Sequence, residues 1–186
     1  MKVASRADVS TEVETSLIVP VGEAMDDVEP WRERLDPFSA RGMPTHVTVE
    51  YPFLPLPELS DDVRSSLAEI FASVPTFEFW LTQVKWFDDR VVWLAPEPDA
   101  LFRHMTASVM ERWPSLRPYG GQPGLVPPHL TIGVSEPRPR LEEAARALRP
   151  LLPIACSARE VWLMSGSSAP GSWTTQARFP LGPSDA

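Results

Sequence analysis

The stretch Met43-Pro44-Thr45-His46-Val47-Thr48-Val49 has a second copy, Val126-Pro127-Pro128-His129-Leu130-Thr131-Ile132. Both copies read apolar-Pro-x-His-apolar-Thr-apolar, and one lies in each half of the chain. The alternation of apolar and polar side chains is typical of a β-strand, in which successive side chains point to opposite faces. The repeat therefore predicts two halves of similar fold, each with one such strand.

Each copy separates its polar from its apolar side chains. His46 and Thr48 share one face of the first strand, and His129 and Thr131 share one face of the second, with the aliphatic residues opposite. The proline two positions before each histidine cannot donate a hydrogen bond to a neighbouring strand, so it belongs at the start of the strand. If the two halves face each other, the two histidines and two threonines converge on one cleft.

Such a set of four side chains has a clear chemical use. A pair of histidines can act as general base and general acid on either side of one reacting centre near neutral pH. Two threonine hydroxyls can donate hydrogen bonds to the non-bridging oxygens of a phosphate between them. This chemistry requires neither a metal nor a cofactor, so we expect none.

A single His-x-Thr is common by chance and more often marks a structural histidine. The chain illustrates this with a third instance, His104-Met105-Thr106, which lies in a helical pattern. We interpret His104 as a surface or packing residue. The functional hypothesis depends on two copies with matched flanks in a chain of only three histidines.

The two motifs and their flanks are similar to those of the two-histidine phosphoesterase superfamily, specifically its bacterial 2′-5′ RNA ligase-like branch. The run GMPTHVTVEYPF (42–53) resembles the first motif of that branch. The run Tyr119-Gly120-Gly121, followed by residues 126–131, resembles the second. The order and spacing of the other elements also fit, so the resemblance covers most of residues 14–181.

The resemblance implies a bilobal α+β fold, in which two pseudo-symmetric antiparallel sheets flank a central cleft and the helices lie on the outside. Members of the family act without metal on 2′,3′-cyclic phosphates, 2′-5′ phosphodiesters and related nucleotide esters. By this resemblance His46 and His129 are the acid/base pair, and Thr48 and Thr131 bind the phosphate. Which histidine is the base stays open.

Length and composition limit the number of domains and the kinds of site that the chain can form. The 186 residues suffice for one two-lobed domain over 1–186, with 1–14 and 182–186 expected to be flexible. Cys156 is the single cysteine, which excludes an internal disulfide, fits a cytoplasmic protein and removes any cysteine-based metal site. No apolar run approaches the length of a membrane span, so no membrane association is expected.

The formal net charge of −8 and the lack of a Lys/Arg cluster argue against binding to duplex DNA, which requires a basic face. We therefore expect a small nucleotide or an RNA end as the partner. Nothing in the sequence indicates an oligomer, and a monomer is the default expectation.

Periodicity and breaker residues predict the other elements. Helices are expected over 24–35 with a break near Pro30, from Ser60 to before Pro75, from Pro98 to Trp113, and from Pro139 to Pro150. Strands are expected at 16–21, at 76–88 and 90–95 as a hairpin, at 154–164 and at 173–181.

Loop residues supply weaker candidates for substrate binding. The Gly/Pro-rich segment 114–128 leads into the second motif, where Tyr119 could cover a bound base and Arg117 could contact a phosphate. The alternative for both is an ordinary surface loop. Strict alternation places Tyr51 on the face opposite Thr48, so core packing is its expected use. The tryptophans are expected mainly in the core.

Together these features predict a metal-independent phosphodiesterase that hydrolyses 2′,3′-cyclic phosphate or 2′-5′ phosphodiester bonds of nucleotides or RNA ends, with reverse RNA ligation possible at the same site. Two alternatives stay open. One is a non-catalytic module that binds nucleotides or RNA ends. The other is a phosphoesterase for a non-RNA cyclic phosphate or a cyclic dinucleotide.

Overall fold

A computed structural model describes residues 12–116, 126–134 and 136–184 of the chain. Within these residues the fold contains eight strands and five α-helices. The strands are β1 (Glu14–Pro20), β2 (His46–Glu50), β3 (Phe77–Phe87), β4 (Val91–Glu97), β5 (Leu130–Val134), β6 (Ile154–Ala158), β7 (Glu160–Gly166) and β8 (Thr174–Pro180). The α-helices are α1 (Met25–Leu35), α2 (Pro37–Ala40), α3 (Asp61–Ala72), α4 (Ala100–Arg112) and α5 (Arg138–Leu148).

The strands form two four-stranded antiparallel sheets. Sheet 1 has the order β2-β1-β7-β8, and sheet 2 has the order β5-β4-β3-β6. Each sheet therefore has one motif strand at its edge, β2 in sheet 1 and β5 in sheet 2, and these two edge strands contact each other. The predicted α+β class with two pseudo-symmetric sheets is confirmed.

Two of the helices, α1 and α4, connect the two lobes by packing against the sheet opposite their own. Helix α1 follows β1 of sheet 1 but packs against β5 of sheet 2, whereas α4 follows β4 of sheet 2 and packs against β2 of sheet 1. The close approach of α1 depends on Gly133 in β5, because a Cβ there would lie 2.7 Å from the Leu35 Cβ. Each motif strand is therefore packed against a helix that follows a strand of the other sheet.

One hydrophobic core extends through both lobes. It includes Val47 and Val49 from the first motif and Leu130 and Ile132 from the second, all almost fully buried. The aliphatic positions of both motifs thus face the core, as their alternation predicts. The opposite face of each motif strand is left for the polar side chains.

Two sequence expectations about these elements are wrong. Helix α1 is not broken at Pro30, which lies inside it. Proline removes a single hydrogen bond there, and the buried face formed by Val28, Arg32 and Leu35 continues past it. The expected strand 154–164 is two strands, β6 in sheet 2 and β7 in sheet 1, which separate at Arg159.

Within the described ranges, no helix combines the length and the apolar character needed to cross a lipid bilayer.

Candidate active site

Both sequence motifs open onto one cavity of about 810 Å³ between the two sheets. His46 and Thr48 line it from sheet 1, and His129 and Thr131 line it from sheet 2. His46 is the first residue of β2, whereas His129 directly precedes β5. The four side chains singled out by the repeat are thus gathered at one place.

The two imidazoles are oriented in the same way. His46 Nδ1 lies 2.6 Å from the carbonyl oxygen of Pro44, and His129 Nδ1 lies 2.9 Å from that of Pro127. A carbonyl can only accept, so each Nδ1 carries the proton and each neutral ring has its lone pair on Nε2. The proline of each motif therefore fixes the tautomer of the histidine two residues later.

The threonines line the same cavity as the imidazoles. The Thr48 hydroxyl donates a hydrogen bond to His46 Nε2 at 3.2 Å, so hydroxyl and ring nitrogen face the same part of the cavity. Thr131 lies directly across from Trp93 in the pairing of β5 with β4, on the cavity side. Each motif thus presents a potential proton acceptor and a hydroxyl donor to the cavity.

Burial keeps both imidazoles neutral. Desolvation lowers the pKa of His46 to about 3, and the positive charge of Arg32 and the neighbouring His129 contribute in the same direction. Desolvation also lowers the pKa of His129, partly offset by the Pro127 carbonyl. Near neutral pH, in the absence of a bound anion, both rings are therefore neutral.

A buried ion-pair network supports the segment that precedes His46. The guanidinium of Arg32 contacts Asp36 at 2.9 Å and Glu29 at 2.8 Å, and Arg32 is only 1% exposed. It also donates to the Met43 carbonyl at 3.3 Å, and Thr45 donates to the Glu29 carboxylate. The network therefore ties helix α1 to the residues on both sides of Pro44, whose carbonyl orients His46.

Aromatic side chains line two sides of the cavity. Phe87, the last residue of β3, lies beside His129, with ring centroids 5.0 Å apart and ring planes at 88°. Tyr51 and Phe38 line the cavity on the side of the first motif, 5.8 Å apart in an edge-on arrangement. Trp86 also lines it, although most tryptophans were expected in the core.

The cavity position of Tyr51 corrects the expectation that it lies on the face opposite Thr48, whereas its expected packing is observed, because its ring lies against the buried Trp173. In the pairing of β1 with β2, Ile18 lies opposite Thr48 and Leu17 opposite Glu50, so β2 has one extra residue. This bulge interrupts the alternation and brings Tyr51 to the face of the first motif. The Tyr51 hydroxyl donates to Glu14 Oε2 at 2.8 Å.

Charged groups at the cavity are few. Arg90, in the turn between β3 and β4, is the one lysine or arginine among the described residues that line it. Asp88 and Asp36 also line it, and Asp36 is paired with Arg32. Arg90 is exposed and lies at the hairpin end next to Phe87, where it can meet an anionic group of a ligand.

Other sequence candidates lie elsewhere. His104 is exposed on α4 and does not line the cavity. Arg117 and Tyr119 fall outside the described residues. Among residues 12–116, 126–134 and 136–184, no group of three or more His, Cys, Asp or Glu side chains is arranged to hold a metal ion.

Sequence reasoning did not find Arg32, Phe38, Phe87 or Arg90 as site residues. None of them belongs to the repeat, and the only sequence signal of Phe38, Phe87 and Arg90 is proximity to a turn or a motif. An Arg with carboxylates three residues before and four residues after it in one helix could have suggested the network, but such spacings also occur on solvated helices.

The sequence of this chain matches the model of a known protein family. The family model described as "2'-5' RNA ligase superfamily" matches residues 20–169. No curated protein matches the sequence.

Solved structures share the fold over nearly the whole chain. Escherichia coli LigT complexed with 3′-AMP matches with a TM-score of 0.56 and 20% identity, covering 92% of this chain and 99% of LigT. LigT complexed with NADP+ matches with a TM-score of 0.56 and 21% identity over 93% and 99%. The protein TT0787 of Thermus thermophilus matches with a TM-score of 0.63 and 18% identity over 92% and 100%. At these identities the likeness establishes the fold.

Proposed function

The chain belongs to the 2′-5′ RNA ligase superfamily, and from this premise we propose that it is a metal-independent phosphodiesterase. Its substrates would be 2′,3′-cyclic phosphate or 2′-5′ phosphodiester bonds of nucleotides or RNA ends. Family membership supports a phosphoesterase or ligase type of enzyme. The bond proposed here rests on the family resemblance, and the geometry of the cavity supports the proposed mechanism.

The observation that carries the proposal is the paired arrangement of the two motifs. Two imidazoles with the same fixed tautomer, and two threonine hydroxyls, line one cavity from opposite sheets. A phosphate between them can be approached from one side by a base and from the other by an acid. This is the requirement of in-line displacement at phosphorus with general acid–base catalysis.

In the proposed hydrolysis, one imidazole accepts a proton at Nε2 from a water molecule as the water oxygen forms a bond to phosphorus. The bond from phosphorus to one ribose oxygen breaks, and the other imidazole, in its protonated form, donates a proton to that oxygen. Thr48 and Thr131 donate hydrogen bonds to the non-bridging oxygens, which become more negative in the transition state. A ribose 5′-hydroxyl in place of water would give ligation of a 2′,3′-cyclic end without a nucleoside triphosphate.

Both imidazoles are neutral without ligand, so the acid must gain its proton when the substrate binds. An anionic phosphate between the rings favours the charged form of an imidazole and raises its pKa. The low pKa values of the free site are therefore compatible with acid catalysis in the complex.

The test uses adenosine 2′,3′-cyclic phosphate and 2′-5′ diadenosine monophosphate in the presence of EDTA, followed by phosphorus NMR. LigT was crystallised with 3′-AMP, which makes adenine nucleotides the first choice. His46→Ala and His129→Ala are each expected to lose roughly 10²–10⁴-fold in turnover. The matched control is His104→Ala, which removes an exposed histidine outside the cavity.

Full turnover by either cavity variant would contradict the proposed roles of these histidines. Activity that disappears in EDTA and returns with an added divalent cation would contradict metal independence. An inactive wild-type chain that still binds these nucleotides would favour the non-catalytic binding module.

A further inference from the structure

The two motifs are alike in sequence but differ in the residue between proline and histidine. In the first motif this residue is Thr45, which is 2% exposed, and in the second it is Pro128. A threonine hydroxyl can both donate and accept a hydrogen bond, whereas proline has neither a side-chain donor nor a backbone N–H. The contacts of the Thr45 hydroxyl therefore have no counterpart at Pro128.

Two residues of helix α1 hold the Thr45 hydroxyl. It donates to Glu29 Oε2 and accepts from the Arg32 guanidinium at 3.4 Å, while Arg32 also contacts Glu29 Oε2 at 2.8 Å. Burial raises the pKa of Glu29, but hydrogen bonds from Ser39 and Thr45 and the charge of Arg32 together hold it below its usual value. The carboxylate is therefore ionised near neutral pH and accepts from both neighbours.

The backbone on both sides of Pro44 is held as well. The Met43 carbonyl accepts from the guanidinium on helix α1 at 3.3 Å, and the Thr45 carbonyl accepts from the backbone N–H of Val21 at 2.9 Å. The carbonyl of Pro44 itself is the acceptor for His46 Nδ1. Because both neighbouring residues are fixed, the peptide at Pro44 keeps its carbonyl directed at the imidazole.

The second imidazole has a different kind of support. His129 lies beside the rings of Phe87 and Trp93, with centroids 5.0 and 5.8 Å away, and its Nδ1 is 2.9 Å from the Pro127 carbonyl. Both rings belong to sheet 2. The orientation of this imidazole is thus restricted by direct packing against aromatic side chains.

We propose that Thr45 and Glu29 are positioning residues for His46. Glu29 holds the Thr45 hydroxyl, Thr45 holds the peptide that carries the Pro44 carbonyl, and that carbonyl keeps the imidazole proton on Nδ1. Nε2 then accepts, in the free site from the Thr48 hydroxyl. The expected effect on turnover rests on the proposed phosphodiesterase function, whereas the expected effect on the tautomer of His46 does not.

The experiment measures the tautomer of each imidazole by long-range proton–nitrogen NMR correlation at neutral pH. The chain has three histidines, and single alanine variants of each assign their ring nitrogens. Thr45→Val deletes the hydroxyl and keeps the branched shape, so the shifts of the two ring nitrogens of His46 should approach each other as the second tautomer becomes populated. Those of His129 should stay unchanged. Glu29→Ala removes the acceptor of the Thr45 hydroxyl and should change the His46 shifts in the same direction.

Two variants serve as controls. Thr45→Ser retains the hydroxyl and should keep the wild-type tautomer and turnover. Ser39→Ala also removes a hydroxyl donor from Glu29, but Ser39 donates to the other oxygen, Oε1, from helix α2, so the His46 shifts should stay close to those of the wild type. Urea unfolding verifies that each variant is folded. Arg32 is left intact because its ion pairs are buried and also support the fold.

On adenosine 2′,3′-cyclic phosphate, Thr45→Val is expected to lower kcat roughly 10- to 100-fold with little change in KM, as for a small misplacement of a reacting group. Unchanged His46 shifts in Thr45→Val and Glu29→Ala would overturn the inference, and so would equal changes at His46 and His129. A wild-type chain without turnover would contradict the proposed function alone, because the NMR comparison still decides whether Thr45 and Glu29 position His46.

Discussion

His46 Nδ1 donates a hydrogen bond to the carbonyl oxygen of Pro44 at 2.6 Å. The same relation holds between His129 and Pro127 at 2.9 Å. The Pro-x-His spacing of the repeat thus has a second physical meaning besides starting a strand. It supplies a backbone acceptor that fixes the proton of each imidazole on the nitrogen away from the reacting group.

Binding of a phosphate ligand should take up protons. Burial and Arg32 lower the pKa of His46 to about 3, and burial lowers that of His129. A bound phosphate raises these values, so the complex holds more protons than the free protein and affinity should increase as pH falls toward 6. Calorimetry with 3′-AMP in buffers of different ionisation enthalpy measures this uptake. Affinity that rises with pH would contradict the prediction.

Removal of either cavity hydroxyl should slow the reaction without unfolding the protein. Thr48→Val and Thr131→Val keep the shape of a partly exposed strand residue but delete the donor to a non-bridging oxygen. Loss of one such donor is expected to cost roughly 10²–10³-fold in kcat. The serine variants at both positions retain the donor and serve as controls in the phosphorus NMR assay. Valine variants as active as the serine variants would exclude this role.

Replacement of Arg32 should destabilise the fold. Arg32→Met removes the cation that pairs with both the buried Asp36 and Glu29. Loss of one partner of a buried ion pair typically costs about 3–5 kcal/mol of stability. Urea unfolding at pH 7 measures the free energy of unfolding. The control is Arg34→Met on the same helix, where the side chain is exposed. Similar free energies for the two variants would show that the network adds little.

The buried carboxyl of Glu50 should make stability depend on pH. Glu50 is 1% exposed, and neither carboxylate oxygen has a hydrogen-bond partner of good geometry among the described residues. Desolvation raises its pKa to about 7, partly offset by the backbone N–H of Tyr51. The folded protein therefore retains a proton that the unfolded chain releases above pH 4.5. Stability from this group falls as pH rises from about 4.5 to about 7 and is then constant.

Glu50→Gln should remove this dependence. The variant is expected to gain stability relative to wild type at pH 8, where burial of the ionised carboxylate is unfavourable, and to gain little at pH 5. Urea midpoints at the two pH values measure the difference. A gain of the same size at both would show that ionisation of Glu50 is not its cause.

Arg90 should contribute to substrate affinity through charge. It is the one described cation that lines the cavity and it is exposed, so Arg90→Ala is expected to raise KM by up to about fivefold. The difference should shrink in 0.5 M salt because exposed charges are screened. Arg146→Ala, an exposed arginine on α5, controls for net charge. An effect that persists unchanged at high salt would point to packing instead of charge.

The repeat was sufficient to predict the two motif strands and the faces of their side chains. These features depend on local alternation and on the chemistry of His and Thr, which a sequence records directly. Val47 and Leu130 are buried, and their histidine neighbours line the cavity, because a strand places successive side chains on opposite sides.

Other features depend on contacts between distant parts of the chain. A bulge opposite β1 brings Tyr51 to the cavity, and the change of sheet at Arg159 divides one apolar run into two strands. Phe87 becomes a cavity wall because the hairpin places it on Trp93 and beside His129, more than 40 residues away. The repeat specified which side chains share a face, but only the packing of the two sheets, held by helices that cross between them, decided what surrounds those side chains.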